Sequence, residues 1–526
     1  MLEIVQKAGA LRIGMVSIAA VWLGLAMPVA AFAGYTEQEA DQEIRKSLAK
    51  ITQVYHLAAT YLADPVDPET AIYQGAIRGA LASMDPFSVF LDAEQFQSLQ
   101  GQQRGVQQGF GAILSVQAGQ VTVLQSLPES PFGRAGLGPG DRIMRINGHR
   151  VASLELPELV RVLQEARQGR VRLSVLRSGK VVPDDFELDP AEVERPTVDK
   201  IFLLEPGLGY LHVAGMEQDT PQEIQSALEE WGSRNLRGLI LDFRDNPGGS
   251  LEAAVAVAGL FLPKGAEIVR LEGRSVPEKN YQVESAPPFP DLPLVVILNG
   301  NTASAAEIIA AALQEHDRAW LVGQPSFGKG VAESVLPLSG GTALVLTTAR
   351  HFTPKGRSVQ RPLPGTALAG ILEDEARTVY SDRGRVFRQK GGIEPDEAAE
   401  PWRLDPWTTA LEQSTAFINF AQSYLERHGR ISGEFEANEA VMEEFGRFLT
   451  EGGVQIPEQS WEEHRSFLKT RIQVELFNLT FGMSRGDEVE VRADPQVRAA
   501  REAVKKTQQL LGPPRTLPLL LGENRK

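Results

Sequence analysis

The sequence predicts a multidomain protein of the α/β class, and three observations support this prediction. The chain has 526 residues, whereas one hydrophobic core usually serves about 150, so about three domains are expected. Residues 197–400 alternate strand-like apolar runs with helical stretches, the pattern of an α/β domain. Residues 104–196 instead contain short apolar runs separated by glycine turns, and the segments 34–103 and 401–526 are mostly helical.

The composition is that of an ordinary globular chain, with 42% hydrophobic and 23% charged residues. It excludes a disordered chain, a collagen-like chain and a polytopic membrane protein. The net charge of −15, from 53 basic and 68 acidic residues, argues against a nucleic-acid-binding protein, which needs a basic face. Cysteine is absent, so any covalent catalysis must use another residue type.

The first 33 residues have the features of an export signal. Two basic residues, Lys7 and Arg12, precede an uncharged stretch over residues 13–33 that ends in Ala31-Phe32-Ala33. We therefore expect cleavage after Ala33 and an exported protein that is periplasmic or associated with the outer side of the cytoplasmic membrane. The alternative is an uncleaved anchor, because the uncharged stretch is long enough to span a bilayer.

The two ends of the remaining chain are expected to be helical. In residues 34–103, apolar residues recur at helical spacing until Asp85-Pro86-Phe87-Ser88, which is a turn signal. Residues 401–526 are expected to form helices followed by a loose tail from Pro513. Their role stays open between a packed appendage, an oligomerisation element and a surface for an adaptor protein. The N-terminal helices are an equally good candidate for a dimer contact.

The β-rich segment 104–196 carries a specific motif. Residues 130–143, SPFGRAGLGPGDRI, followed by Ile146-Asn147-Gly148, resemble a PDZ domain of the bacterial protease type. The loop Gly109-Phe110-Gly111-Ala112 lies where that family binds a carboxylate, and Ile113 or Leu114 is expected to line the side-chain pocket. Glycines let consecutive backbone N–H groups point at one carboxylate, and the next strand can pair with an extended peptide. The alternative is a plain tight turn.

Three turns in residues 197–400 carry candidate catalytic residues. The first ends a buried strand in Gly248-Gly249, where backbone N–H groups at a helix N-terminus could stabilise an oxyanion. The second leads from another apolar strand to Ser304 at the start of a helix, where the alternative role is an ordinary helix cap. The third holds Lys329 between Gly328 and Gly330, which could bring a desolvated amine close to Ser304.

In this order and after a PDZ module, these turns resemble the carboxyl-terminal processing (tail-specific) serine proteases. The resemblance runs from about residue 40 to Asp396 and includes residues 348–356, TARHFTPKG, and residues 392–396, GIEPD. It implies a ClpP/crotonase-like α/β protease core with an inserted PDZ domain and helical N- and C-terminal regions. It also implies protein substrates with free, apolar C-termini, a homo-oligomer, and neither a cofactor nor a metal.

The resemblance also assigns roles. It implies that Ser304 is the nucleophile, that Lys329 is the general base, and that Ala305 forms an oxyanion hole with Gly248 or Gly249. A lysine in water has a pKa of about 10.4 and is protonated at neutral pH, so the base must be desolvated to act. No histidine is needed for this chemistry, and His351 is interpreted as structural.

One position departs from the family. Four residues after the lysine, where the family usually has a glutamine, this chain has Glu333. A carboxylate there favours the ammonium form of Lys329, which predicts a weak enzyme or an alkaline pH optimum. This prediction fails if Glu333 points away or is protonated. The rival function is a PDZ peptide-binding scaffold whose core Glu333 has silenced.

A P-loop is excluded by the residue after Lys329. The spacing of Gly323, Gly328 and Lys329 is nearly that of a phosphate-binding loop, but Gly330 stands where that motif needs a serine or threonine for magnesium.

Overall fold

A computed structural model describes residues 2–5 and 37–512, apart from residues 66, 104, 105, 118, 128, 168, 178, 179, 195, 233, 234, 365, 367 and 369–376. The predicted loose tail, and all of the predicted export signal except residues 2–5, lie outside the described residues. Within the described ranges, no helix combines the length and the apolar character needed to cross a bilayer.

The N-terminal region is mainly helical and includes a short strand before its last helix. Its elements are β1 (Leu2–Val5), α1 (Glu37–Tyr61), a π-helix (Thr70–Ile77), α2 (Arg78–Ala82), β2 (Val89–Leu91) and α3 (Ala93–Gln103). The strand β2 pairs antiparallel with residues 343–345 of the α/β core. The N-terminal region is therefore attached to the core by a backbone ladder next to the predicted turn at residues 85–88.

The β-rich segment forms an antiparallel sheet with a helix packed on it and, separately, a two-stranded antiparallel ladder. Its elements are β3 (Val106–Gly109), β4 (Ala112–Gln117), β5 (Gln120–Ser126), α4 (Pro131–Arg134), β6 (Arg142–Ile146), β7 (His149–Arg150), a 3₁₀ turn (Val151–Ser153), α5 (Leu156–Ala166), β8 (Val171–Leu176), β9 (Asp184–Leu188) and β10 (Ala191–Glu194). The sheet order is β4-β5-β6-β8-β9, β7 pairs with β6, and β3 pairs with β10. The outer edge of β4 accepts β1 as a parallel neighbour, from Leu2 opposite Ala112 to Val5 opposite Ser115.

The α/β core is built on a six-stranded sheet of order β11-β12-β13-β16-β17-β22. The strands from β12 to β22 are parallel, and β11 is antiparallel to β12. The core elements are β11 (Val198–Glu205), β12 (Leu208–Val213), α6 (Thr220–Glu230), β13 (Gly238–Asp242), α7 (Leu251–Gly259), β14 (Glu267–Glu272), β15 (Lys279–Gln282), β16 (Leu294–Leu298), α8 (Ala305–Glu315), β17 (Ala319–Gly323), β18 (Val331–Pro337), a 3₁₀ turn (Ser339–Gly341), β19 (Ala343–Phe352), β20 (Thr378–Tyr380), β21 (Val386–Arg388) and β22 (Glu397–Ala398).

Helices cover both faces of this sheet, which explains why its central strands are buried along their whole length. Every residue of β13 and β16 is buried, as expected of parallel strands inside an α/β domain. Helices α6, α7 and α8 pack on one face of the central sheet and share a single apolar core with it. A second, smaller sheet has the order β15-β14-β19-β18, and β2 also pairs with β19. This sheet lies beside the ends of the parallel strands that lead to Ser304 and Lys329.

The C-terminal region is helical as predicted. One group of its helices packs against the β-rich module, and its last helix packs against the central sheet. The helices are α9 (Pro406–Gln413), α10 (Ala416–His428), α11 (Glu439–Glu451), α12 (Glu458–Glu463), α13 (Arg465–Phe481), α14 (Met483–Ala493) and α15 (Pro495–Leu510). A cluster built on α9, α10, α11 and α13 includes Leu124 of the β-rich module. Helix α15 instead covers the second face of the central sheet, where Ala500 and Val504 share a cluster with Ile240 and Val295.

Candidate active site

Ser304 lies in the turn between β16 and α8, and its backbone is strained. Its φ of 55° and ψ of −116° fall in a region that residues with a side chain rarely adopt. The residue is only 6% exposed. A strained serine between a strand and the N-terminus of a helix has the backbone of a nucleophile elbow, in which the turn presents the hydroxyl to a substrate.

The glycine loop packs directly against this turn. A Cβ on Gly248 would lie 2.9 Å from the Cβ of Ser304 and 2.9 Å from the nitrogen of Ala305, so only glycine allows this approach. The N–H of Gly248 donates to Asn246 Oδ1 at 2.8 Å. Because this bond already uses the Gly248 N–H, the loop leaves Gly249 as the better candidate to accompany Ala305 in an oxyanion hole.

Asn246 joins the glycine loop to the serine turn, and sequence reasoning missed it. Its carbonyl accepts the N–H of Ala303 at 2.9 Å, and its side chain donates to the carbonyl of Val213 at 2.7 Å. The residue is fully buried. Its place in an Asn-Pro-Gly-Gly turn is the one signal in the sequence that could have indicated it.

Glu307 connects the serine turn to the lysine loop. Its Oε2 accepts the backbone N–H of Ser304 at 2.9 Å and that of Lys329 at 2.8 Å. Its Oε1 accepts the N–H of Gly328 at 2.8 Å and the hydroxyl of Ser326 at 2.5 Å. Burial raises the pKa of Glu307, while these hydrogen bonds act in the opposite direction. One buried carboxylate therefore holds the two predicted reactive residues in fixed relation.

Lys329 and Glu333 form a buried ion pair. Nζ of Lys329 lies 2.9 Å from Oε1 of Glu333, and the two side chains are 3% and 1% exposed. Burial raises the pKa of Glu333, although the nearby charge of Lys329 acts to lower it. Glu333 therefore does not point away from the lysine. Its raised pKa is the direction required by the remaining alternative, in which it carries a proton.

A small cavity lies beside Ser304. Its volume is about 20 Å³, and its walls include Gly249, Ser304, Glu333 and His351. The ring of His351 is buried, and among the described residues its Nε2 has no hydrogen-bond partner. Burial and the charge of Lys329 lower the pKa of His351 to about 3, so this ring is neutral at ordinary pH. His351 thus contributes a neutral polar wall to the cavity.

The loop Gly109-Phe110-Gly111-Ala112 lies between β3 and β4 in the β-rich module. Gly111 has a φ of 65°, and its carbonyl accepts the hydroxyl of Ser130 at 3.1 Å. Phe110 is fully buried, and its ring lies 6.4 Å from that of Phe132. The loop is therefore anchored from inside the module, and all four of its residues are buried in this structure.

Ile113 and Leu114 face opposite sides of β4. Leu114 lies in the core that the module shares with α5. Ile113 packs against the cluster of C-terminal helices. Of the two residues expected to line a peptide pocket, Leu114 is thus the one on the side of α5.

Taken together, the described geometry places the strained Ser304, Gly249 and Glu333 on the walls of one cavity. Lys329 is not among the described residues that line it, but its amine contacts Glu333 and its backbone N–H shares the Glu307 carboxylate with that of Ser304. These are the parts that acyl transfer to a serine requires. No group of acidic and histidine residues suited to a metal ion occurs within the described ranges.

Comparison with known proteins agrees with this chemistry. A profile of peptidase family S41 matches residues 207–376, a PDZ domain profile matches residues 122–177, and a profile of the activating protease CtpB N-terminal domain matches residues 20–95. A carboxy-terminal-processing protease of Bartonella bacilliformis is 32% identical over 349 residues, which cover 65% of this chain and 79% of that protein. The chain belongs to the carboxy-terminal-processing proteases of peptidase family S41.

Other relatives of this S41 peptidase are similar over comparable lengths. A carboxyl-terminal-processing protease of Synechocystis is 33% identical over 306 residues, covering 57% of this chain and 70% of the relative. Among solved structures, the photosystem II D1 C-terminal processing protease is 27% identical and covers 66% of this chain and 86% of its own, with a TM-score of 0.36. The predicted family, the α/β multidomain class with a PDZ module, and the assignment as a serine-type processing peptidase are thereby confirmed.

Proposed function

We propose that this S41 peptidase cleaves protein substrates near their C-termini with a dyad of Ser304 and Lys329. Support comes above all from Glu307, whose carboxylate accepts the backbone N–H of both residues. A shared acceptor holds the backbone of both residues at one carboxylate without help from substrate. Glu333 is the third residue of the proposed site, because it contacts the amine of Lys329.

The proposed reaction transfers one proton from Ser304 to Lys329 and then from Lys329 to the leaving amine. Lys329, when neutral, takes the proton of the Ser304 hydroxyl as its oxygen attacks the peptide carbonyl. The N–H groups of Ala305 and Gly249 stabilise the oxyanion, and the new ammonium of Lys329 then gives its proton to the leaving amine. Water hydrolyses the acyl-enzyme by the same route. Glu333 determines the fraction of Lys329 whose amine is neutral, because the two buried side chains share one proton.

The PDZ module is proposed to select the substrate by its free C-terminal carboxylate. Backbone N–H groups of the loop Gly109-Phe110-Gly111-Ala112 would bind that carboxylate, and the edge of β4 would pair with the extended tail. The pairing of β1 along this same edge supports the idea, because it indicates that the edge can accept an added strand. Apolar tails are expected, since Ala112 and Leu114 belong to the apolar core of the module.

A fluorescent peptide with an apolar C-terminus separates the protease from the scaffold. We expect turnover that Ser304→Ala abolishes while binding persists. Binding without turnover by the unaltered chain would favour the scaffold. The same peptide with an amidated C-terminus is the matched control for carboxylate recognition. We expect it to be cleaved at least ten times more slowly, about the loss of one charge-assisted contact.

Export and assembly are further parts of the proposal. The expected cleavage after Ala33 would leave an exported protein, and N-terminal sequencing of the protein from its native host tests it. We also propose a homo-oligomer through α1, which exposes Ile44, Leu48 and Ile51 at the spacing of a helix-pairing seam. We also propose the C-terminal helices as the surface that would bind an adaptor protein.

A further inference from the structure

The turn that ends the N-terminal helices lies against the amine of Lys329. Phe87, in this turn, is 6% exposed, and the centre of its ring is 5.1 Å from Nζ of Lys329. Phe87 also packs with Val331, two residues after the lysine. A side chain from outside the α/β core therefore covers the proposed base.

Five hydrogen bonds stabilise this turn. Asp85 Oδ1 accepts the N–H groups of Phe87 and Ser88, each at 2.8 Å, and Oδ2 accepts the Ser88 hydroxyl at 2.8 Å. The hydroxyl of Thr347 donates to Asp85 at 3.1 Å, and the N–H of Thr347 donates to Ser88 Oγ at 3.1 Å. Thr347 is also the cross-strand neighbour of Glu333. The turn is thus attached to the strand next to the partner of Lys329.

We propose that Phe87 is a positioning residue that sets the pH at which Lys329 can act as the base. This inference rests on the proposed role of Lys329. The ring acts on the amine in two opposing ways. Its face attracts an ammonium and favours the protonated form. Its apolar bulk keeps water away and favours the neutral form.

Other titratable groups lie around the lysine and stay in place when the ring of Phe87 is changed. They are Glu333 on β18, which contacts the amine, His351 on β19, which senses the charge of the lysine, Glu307 on α8, which accepts the backbone N–H of Lys329, and Asp85 in the turn, which acts on Glu333. A substitution of Phe87 leaves all four side chains in the chain. A change in pH dependence therefore reports on the ring.

Two substitutions of Phe87 separate the two effects. Phe87→Leu keeps an apolar cover but removes the aromatic face. The acid limb of the profile, which is the pH range in which kcat/KM falls as the solution becomes more acidic, should therefore move to lower pH by about 0.5 unit. Phe87→Ala opens the cover to water, so the limb should move to higher pH by about 1 unit. A purely structural role would lower activity at every pH and leave the limb in place.

Phe90 provides the matched control. It is 5% exposed, three residues further along, and its ring stacks on Tyr73 at 5.4 Å. Phe90→Leu should lower the unfolding temperature about as much as Phe87→Leu, without moving the pH profile. If Phe87→Ala does not fold, the comparison of Phe87→Leu with Phe90→Leu decides the question.

The experiment is a pH series of peptide cleavage by the full chain and its variants. Opposite shifts for leucine and alanine at position 87, with none for Phe90→Leu, support the inference. Profiles of both Phe87 variants that superimpose on the unaltered enzyme overturn it. Turnover that survives Lys329→Met would instead overturn the proposed base, so the two failures are distinguishable.

Discussion

Nζ of Lys329 lies 2.9 Å from Oε1 of Glu333, in a site from which water is almost excluded. Such a pair can hold its proton on the amine or on the carboxyl group. Only the second arrangement leaves a base for Ser304. Burial raises the pKa of Glu333 and so favours this arrangement, whereas the charge of Lys329 opposes it.

Replacing Glu333 by glutamine should make the enzyme more active at neutral pH. The amide removes the charge that stabilises the ammonium form of Lys329 but keeps the shape of the side chain. We expect the acid limb of the cleavage profile to move to lower pH by about 1 unit. A pH series of kcat/KM measures this shift, and an unchanged profile would show that Glu333 does not govern the lysine.

Glu307→Gln should reduce both stability and activity. Glu307 accepts four hydrogen bonds, so an amide would present two donors to groups that are themselves donors. We expect a loss of about 3 kcal/mol in the free energy of unfolding. We also expect at least about a hundredfold loss in kcat, because the serine and lysine turns lose their common anchor.

Glu315→Gln is the control for this change. Glu315 is a second fully buried acid at the far end of the same helix, where it pairs with Arg357 at 2.6 Å. Its replacement should also destabilise the fold but spare kcat at temperatures where the variant is folded. Equal losses of kcat in both variants would contradict the anchoring role of Glu307.

His351 should make the fold sensitive to acid. Its pKa in the folded chain is about 3, whereas in the unfolded chain it is about 6.5. Below pH 6.5 only the unfolded chain takes up this proton, so stability falls by up to about 1.4 kcal/mol per pH unit until about pH 3. His351→Phe removes this effect, and denaturant unfolding at pH 7.5 and 5 should show a smaller acid loss. An equal loss in both chains would refute this origin.

Helix α1 should hold copies of the chain together. Leu48 and Ile51 are 57% and 48% exposed on one side of this helix. Replacing both by lysine should convert the assembly to monomers in sedimentation experiments, without changing the unfolding temperature of the core. The paired control is lysine at Gln42 and Glu43, which should leave the assembly intact. An unaltered assembly in the Leu48 and Ile51 variant would exclude α1 as the contact.

The fold was predictable where local pattern decides structure. The apolar run Leu294–Leu298 is a strand because both faces are covered, and its sequence shows this directly. The family motif indicated Ser304 and Lys329 through the order and spacing of their turns. The side of β4 on which Ile113 lies was not predictable, because strand alternation offers two faces and the C-terminal helices decide between them.

The supporting residues of the site were not predictable for a related reason. Glu307 and Phe87 act through contacts with turns that are distant in sequence. A glutamate in the first turn of a helix and a phenylalanine after a proline have many ordinary uses. Their partners become apparent only when the sheets bring the three segments together.

The rate at which a fluorophosphonate labels Ser304, followed by mass spectrometry across a pH series, tests the proposed dyad most directly. Lys329→Met keeps the length of the side chain but removes the amine. We expect labelling to fall at least a thousandfold in this variant, with the fold retained in thermal unfolding. Labelling of Ser304 at the unaltered rate in folded Lys329→Met would contradict the role of Lys329 as the base.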